Sequence, residues 1–182
     1  MDLTYNIKEI RAGNESEFRK LIDENMDYIY MTTFRIAADE EDARDIVQDT
    51  FLKVWEKRKS IKDNKSVTSY IRRIAVNKCY DLLRRRKIMY GTNRTDNEYL
   101  MNEIVGNDRA DYKLNNDEAT LILNTLVSRL SPRQRIVFTM VEIEELSHDE
   151  VAEITGVSKN SIKSNLRYAR KKLEGFITKY LN

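Results

Sequence analysis

Three groups of residues in this 182-residue chain have types and spacings that could do chemistry. Asp42, Asp45 and Asp49 recur at helical spacing and fall within about 60° of each other on a wheel of ~100° per residue. Such carboxylates can hold a divalent cation, or they can form a docking face for a basic partner, with Gln48 adding hydrogen bonds. Cys79 and His148 are the single residues of their kinds. One cysteine makes no intramolecular disulfide, and one histidine excludes a His-rich metal site. The bundle-type di-iron centre needs two Glu-x-x-His motifs, which a chain with a single histidine cannot supply. Cys79 reads as a small core residue, and His148 as a helix-start or phosphate-contacting residue without a nucleophile beside it. The third group is cationic: Arg73, Asn77, Tyr80 and Arg84 on one helix face, and Asn160, Lys163, Ser164, Arg167 and Lys171 on another.

The formal net charge is only +2, from 32 Lys and Arg against 30 Asp and Glu, yet the charge is segregated. Residues 39–49 carry six acids against Arg44. Residues 70–87 carry seven bases against Asp81, and residues 158–173 carry six bases and no acid. Separate acidic and basic surfaces imply separate partners. No apolar run approaches the ~18 residues of a membrane span, and the opening MDLTYNIKEIRAG lacks a signal-peptide core, so the expected location is the cytoplasm.

The elements that must position these residues are helices. Five Gly and one Pro among 182 residues leave few breakers, and 41% hydrophobic residues suffice for cores. Helices are expected over Glu15 to Ala37, Asp39 to about Lys59 and Thr68 to Lys87, with a loop at 61–67. A fourth helix is expected from near Asp117. Residues 91–117, rich in Asn, Asp and Glu, read as a flexible linker. The expected architecture is all-α, with two small helical domains, 1–87 and 118–182, joined by a linker at 88–117.

The C-terminal part has the pattern of a helix-turn-helix. Pro132 follows Ser131 at a helix start. Ser147 and Glu150 form a capping box, Gly156 ends that helix, and Ser158 begins a basic one. On the basic helix Ile162, Leu166, Ala169 and Leu173 share one face. Asn160, Lys163, Ser164, Arg167 and Lys171 share the opposite one, with groups that donate to guanine edges and phosphates or pair with adenine. On the helix before the linker, Ile71, Ala75, Cys79 and Leu82 point inward. The opposite face interleaves cations with Tyr80 and Asn77, which suits unstacked single-stranded bases.

The stretches EEDARDIVQDTFLKVW at 40–55, YIRRIAVNKCYDLLRRRK at 70–87 and LSPRQRIVFTMVEIEELSHDEVAEITGVSKNSIKSNLRYARKKL at 130–173, in this order, resemble the extracytoplasmic-function sigma factors. The resemblance implies a transcription-initiation subunit that is not an enzyme and needs no cofactor or metal. Asp42, Asp45, Gln48, Asp49, Phe51 and Leu52 would contact core RNA polymerase at the clamp helices of its largest subunit. Asn64, Lys65, Arg73, Asn77, Tyr80 and Arg84 would hold melted −10 DNA. Asn160, Lys163, Ser164, Arg167 and Lys171 would read the duplex −35 element. Asn165, Tyr168 and Tyr70 stand where the family often has Arg, Arg and Trp, which bears on the promoter sequence and not on the role. Expected partners are core polymerase, promoter DNA and an anti-sigma factor, with the free protein a monomer and no small-molecule substrate. A dimeric helix-turn-helix regulator, which needs neither the acidic helix nor a second basic one, and a carboxylate nuclease built on Asp42, Asp45 and Asp49 are the alternatives.

Overall fold

The computed structural model describes residues 5–61, 64–90 and 126–181, and every regular element among them is helical. Six residues open the fold as α1, Ile7–Ala12, a helix without a counterpart in the sequence expectations. It buries Ile7 and Ile10. α2, Glu15–Ala37, starts where Asn14 accepts hydrogen bonds from the Ser16 and Glu17 amides. It stops at Ala38, which takes a left-handed conformation at φ 55°. α3, Glu40–Glu56, is capped by Asp39, whose carboxylate accepts from the Asp42 amide at 2.8 Å. Acids in its first turn, Glu40 to Asp42, face the positive end of the helix dipole.

A 3-10 turn at Arg58–Ser60 leads to α4, Asn64–Tyr90. α4 begins four residues before the expected Thr68, so Val67 is a fully buried helix residue and not part of a loop. The expected fourth helix from Asp117 lies outside the described residues until a helical turn at 126–128. α5, Pro132–Phe138, opens with a full capping box between Ser131 and Gln134 and Pro132 at its first position. It runs into a π-helical turn, Thr139–Ile143. α6, His148–Thr155, carries the Ser147–Glu150 capping box and ends at Gly156 with φ 68°, a conformation that favours glycine. α7, Lys159–Leu181, continues eight residues past Leu173, the last inward residue the sequence pattern marks.

One cluster packs α1 to α4 around Leu21, Ile29, Val54, Val67, Ile71 and Ala75. A second cluster crosses between the two halves. Ile36, Ile46, Val76, Cys79 and Leu83 of α2 to α4 pack with Ile136, Met140, Val151, Ile154, Ile162 and Leu166 of α5 to α7. Leu83, more than the expected Leu82, is the buried leucine near the end of α4. The two helical units therefore share one interior. The sequence carries no sign of this, since each amphipathic face needs only an apolar partner and does not say which.

Candidate functional site

α3 turns Ala43, Ile46, Val47, Thr50, Phe51 and Val54 inward and leaves Asp45, Gln48, Asp49 and Leu52 exposed, with Leu52 at 54%. Phe51 is a correction to the expected polymerase-contacting set. At 6% exposure it fills the core against α2 and α4, so it supports the helix and offers no face of its own. Asp42 is half-buried and ion-paired with Arg86 of α4, and Asp49 pairs with Lys78 at 2.7 Å. Two of the three carboxylates are thus neutralised by cations of the neighbouring helix. A metal site or nuclease centre is disfavoured on that ground. Among the described residues no group of three or more His, Cys, Asp or Glu is placed to hold a metal. What faces a partner is a polar strip of Asp45, Gln48 and Asp49, the last still 61% exposed beside Lys78, ending on the exposed Leu52.

α4 exposes Arg73, Asn77 and Arg84 on one side. Tyr80 lies at the edge of that side, half-buried, with the Arg133 guanidinium 5.6 Å above its ring. Asn64 and Lys65 form the first turn of α4, and their side chains lie outside the described residues. The inward side holds Ile71, Ala75, Val76, Cys79 and Leu83. Burial raises the Cys79 thiol to about 12, so it stays protonated and unreactive, as a core position requires. Arg72 takes no part in the basic face and instead stacks over the Tyr28 ring at 4.0 Å.

The helix-turn-helix is formed as the periodicity implies. Ile162, Leu166, Ala169 and Leu173 of α7 are buried, while Asn160, Lys163, Ser164, Arg167 and Lys171 are all exposed. Arg170 pairs with Glu142 at 2.5 Å and Lys159 pairs with Asp149, so these cations hold α7 in place. Asn165, at a position where the family often has Arg, donates from Nδ2 to the Ser161 carbonyl at 2.8 Å and is half-buried. Tyr168 is 54% exposed beside Arg167, whose guanidinium lies 5.2 Å from its ring. His148 is the first residue of α6 and half-buried. An exposed cationic face on the second helix of a helix-turn-helix is the geometry that enters a major groove.

Residues 21–88 match the family described as Sigma-70 region 2, and residues 120–173 match that described as Sigma-70, region 4. The chain belongs to the sigma-70 family. The first match takes in α3 and α4 as far as residue 88 and the second the helix-turn-helix as far as residue 173, so the exposed faces of this sigma-70 protein described above lie within family regions. It is 25% identical over 186 residues to the ECF RNA polymerase sigma factor SigW of Bacillus subtilis (strain 168), with 95% of each protein covered. It is 27% identical over 169 residues to the RNA polymerase sigma factor YlaC of the same organism, covering 93% of this chain and 94% of that one. In fold it is similar to CnrH, solved with the cytosolic domain of CnrY, at a TM-score of 0.66, 20% identity and 94% of both chains. It is also similar to the sigma factor RpoE of Bartonella quintana, solved with the anti-sigma factor NepR, at 0.65, 18% identity and 88% and 96% of the two chains.

Two pairings that join helices of the sigma factor were not legible in its sequence. Arg86 sits in a run of four bases, RRRK, in which nothing marks the one that turns back onto Asp42. Glu144 sits in the acidic run EIEE, in which nothing marks it from Glu142 and Glu145, yet its side chain is buried. Only the fold distinguishes these residues from their neighbours.

Proposed function

We propose that this chain is a promoter-specificity subunit of bacterial RNA polymerase of the extracytoplasmic-function type. The observation that carries the reading is the succession of three faces along one chain. An acidic strip on α3 precedes a basic, aromatic face on α4, and both precede a helix-turn-helix whose second helix exposes Asn160, Lys163, Ser164, Arg167 and Lys171. The α3 strip of Asp45, Gln48, Asp49 and Leu52 docks on core polymerase, with Asp42 held back by Arg86. The first turn of α4, with Arg73, Asn77, Tyr80 and Arg84, holds unstacked −10 bases, and α7 reads the −35 duplex. Residues 1–87 and 118–182 are the two functional units, with 88–117 between them.

Melting then needs no covalent step. Binding single strands and flipped bases more tightly than duplex pulls the equilibrium open, so the subunit is not itself an enzyme and requires no metal, cofactor or small-molecule substrate. It acts in the cytoplasm as a monomer until it meets polymerase. CnrH and RpoE were each solved with a partner chain, in the second case an anti-sigma factor. By that likeness an anti-sigma factor is proposed to control this protein as well.

Run-off transcription with bacterial core polymerase, with and without the protein, tests the reading. Specific new transcripts are expected. Lys163→Ala and Arg167→Ala should each weaken them by roughly 5- to 150-fold, the worth of about 1–3 kcal/mol of base contact. No transcript, together with failure to co-elute with core, would sink the proposal and promote a dimeric operator-binding regulator.

A further inference from the structure

The packing of the two halves has a consequence for promoter reading. Arg73, on the reading face of α4, lies so close to the turn of the helix-turn-helix that a Cβ on Gly156 would sit 3.3 Å from its Nη2. Arg133 of α5 stacks on Tyr80. Two of the candidate −10 side chains are thus engaged by the unit that reads the −35 element, whereas the α7 face is entirely open. From the Arg73–Gly156 contact, with ~1.5 Å per helical residue and ~3.8 Å per residue of turn, the centres of the two faces, Asn77 and Ser164, lie within about 40 Å of each other. Elements centred about 25 base pairs apart on a duplex with ~3.4 Å per base pair are separated by about 85 Å. Duplex DNA is stiff over about 150 base pairs and does not close that gap cheaply. The closed arrangement therefore cannot read both elements together.

One side chain stands out as the fastening between the halves. The Glu144 side chain is 2% exposed. Its carboxylate accepts from the Tyr28 hydroxyl at 2.6 Å and the Thr32 hydroxyl at 2.7 Å, with Arg35 at 3.8 Å. All three are on α2, in the other half. The backbone beside it is unusual: the π-helical turn Thr139–Ile143 leads into it, and Glu145 follows at φ 54°. Such distortions collect at functional positions, because regular geometry would aim the side chain elsewhere. Arg135, also buried, reinforces the join by donating from Nη1 to the Ile36 carbonyl at 2.8 Å.

We infer that this closed packing is a resting conformation that withholds promoter reading, and that the Glu144 carboxylate is the latch that holds it. The inference rests on the sigma-factor reading for its purpose, and on the packing alone for its existence. A protein whose competent state is a minor population binds its partner more weakly by that fraction. Loosening the latch should therefore tighten binding to core polymerase without any change at the α3 strip.

The full chain and its Glu144→Ala variant can be compared by small-angle scattering, by the rate at which a thiol reagent modifies Cys79, and by affinity for bacterial core polymerase. Cys79 is the only cysteine and lies at 0% exposure within the shared cluster, so its modification reports opening. Tyr28→Phe combined with Thr32→Val removes the same latch from the opposite side, should the first variant not fold. The expected result is a compact wild type, with a larger radius of gyration, at least ~10-fold faster Cys79 modification and several-fold tighter core binding in the folded variants. An extended wild type, or folded variants with unchanged scattering and thiol rates, would overturn the closed state or its latch. Opening without a gain in core affinity would overturn its role as a restraint. Failure of every form to bind core would instead strike the sigma-factor reading, while scattering and thiol rates still decide the latch.

Discussion

Arg86, near the end of α4, folds back so that its guanidinium pairs with Asp42 and lies 3.9 Å from Asp39 at the start of α3, while its Nη1 donates to the Ala37 carbonyl at 3.2 Å. One cation thus ties the ends of three helices, satisfying a terminal carbonyl of α2 and meeting acids gathered at the positive end of α3. It also takes up a carboxylate that, by sequence, belonged to the partner-facing strip. Arg86→Ala should lower stability by about 1–2 kcal/mol, since a half-exposed ion pair contributes little and the charged hydrogen bond to backbone contributes most. Urea unfolding should show a lower midpoint with an unchanged slope.

Asp45 and Phe51 are predicted to separate docking from folding, though they stand fewer than two turns apart on α3. Asp45 is exposed, so Asp45→Arg should change stability by less than about 0.5 kcal/mol while abolishing retention of the protein on core polymerase. Phe51→Ala should cost about 3–5 kcal/mol through the cavity it opens. Thermal melts run beside core-retention assays check both. Normal retention of folded Asp45→Arg would remove Asp45 from the interface.

Ala38 closes α2 in a left-handed conformation that residues with a Cβ adopt at a cost of about 1 kcal/mol. Glycine is the usual solution at this position of a helix end. Ala38→Gly should raise the melting temperature by about 2–4 °C, less whatever freedom the unfolded chain gains. An unchanged or lower value would mean that the entropy gained by the unfolded chain offsets the relieved strain.

Alkaline pH should unfasten the protein in a defined window. Burial, the hydrogen bond to Glu144 and its charge push the Tyr28 hydroxyl from 10.0 to about 12, while the Arg72 guanidinium over the ring and the Thr32 hydroxyl pull the other way. Burial pushes the Cys79 thiol from 9.0 to about 12. Both groups are held protonated in the folded state, so their contribution is complete below the ordinary values and is lost as pH rises through the folded ones. As far as these two groups decide it, stability should be level up to about pH 9 and fall between about 9 and 12. Tyr28→Phe should flatten the upper part of that fall and Cys79→Ala the lower. Urea titrations across the range measure it, and parallel curves for all three proteins would refute the assignment.

The reach of local information is visible in particular residues. Ser147, Glu150 and Gly156 act on atoms within four positions of themselves, and the helix start and stop they imply were legible before any packing was known. The same holds for α7, where a 3.6-residue period alone sorts Ile162 and Leu166 from Lys163 and Arg167. Where the local signal was weak it misled. Polar residues at 62–66 hid the first turn of α4, and α1, only six residues long, has too little period to recognise. Phe51 fell within a motif whose polar members face outward, though its own place on the wheel lies beside Val47 and Val54.

The sequence by itself determined the all-helical character, the order of the acidic and basic faces and which residues of α7 face outward, because caps and periodicity are short-range and a helix face follows from spacing alone. Only the tertiary structure decided which charges remain for partners and how the two halves meet. Glu144 finds Tyr28 across 116 positions, Arg135 finds Ile36 across 99, and Arg86 finds Asp42 across 44. Nothing in the spacing of those residues encodes the pairing. Apolar faces associate without direction, and a buried charge must then be paired by whatever the packing brings beside it.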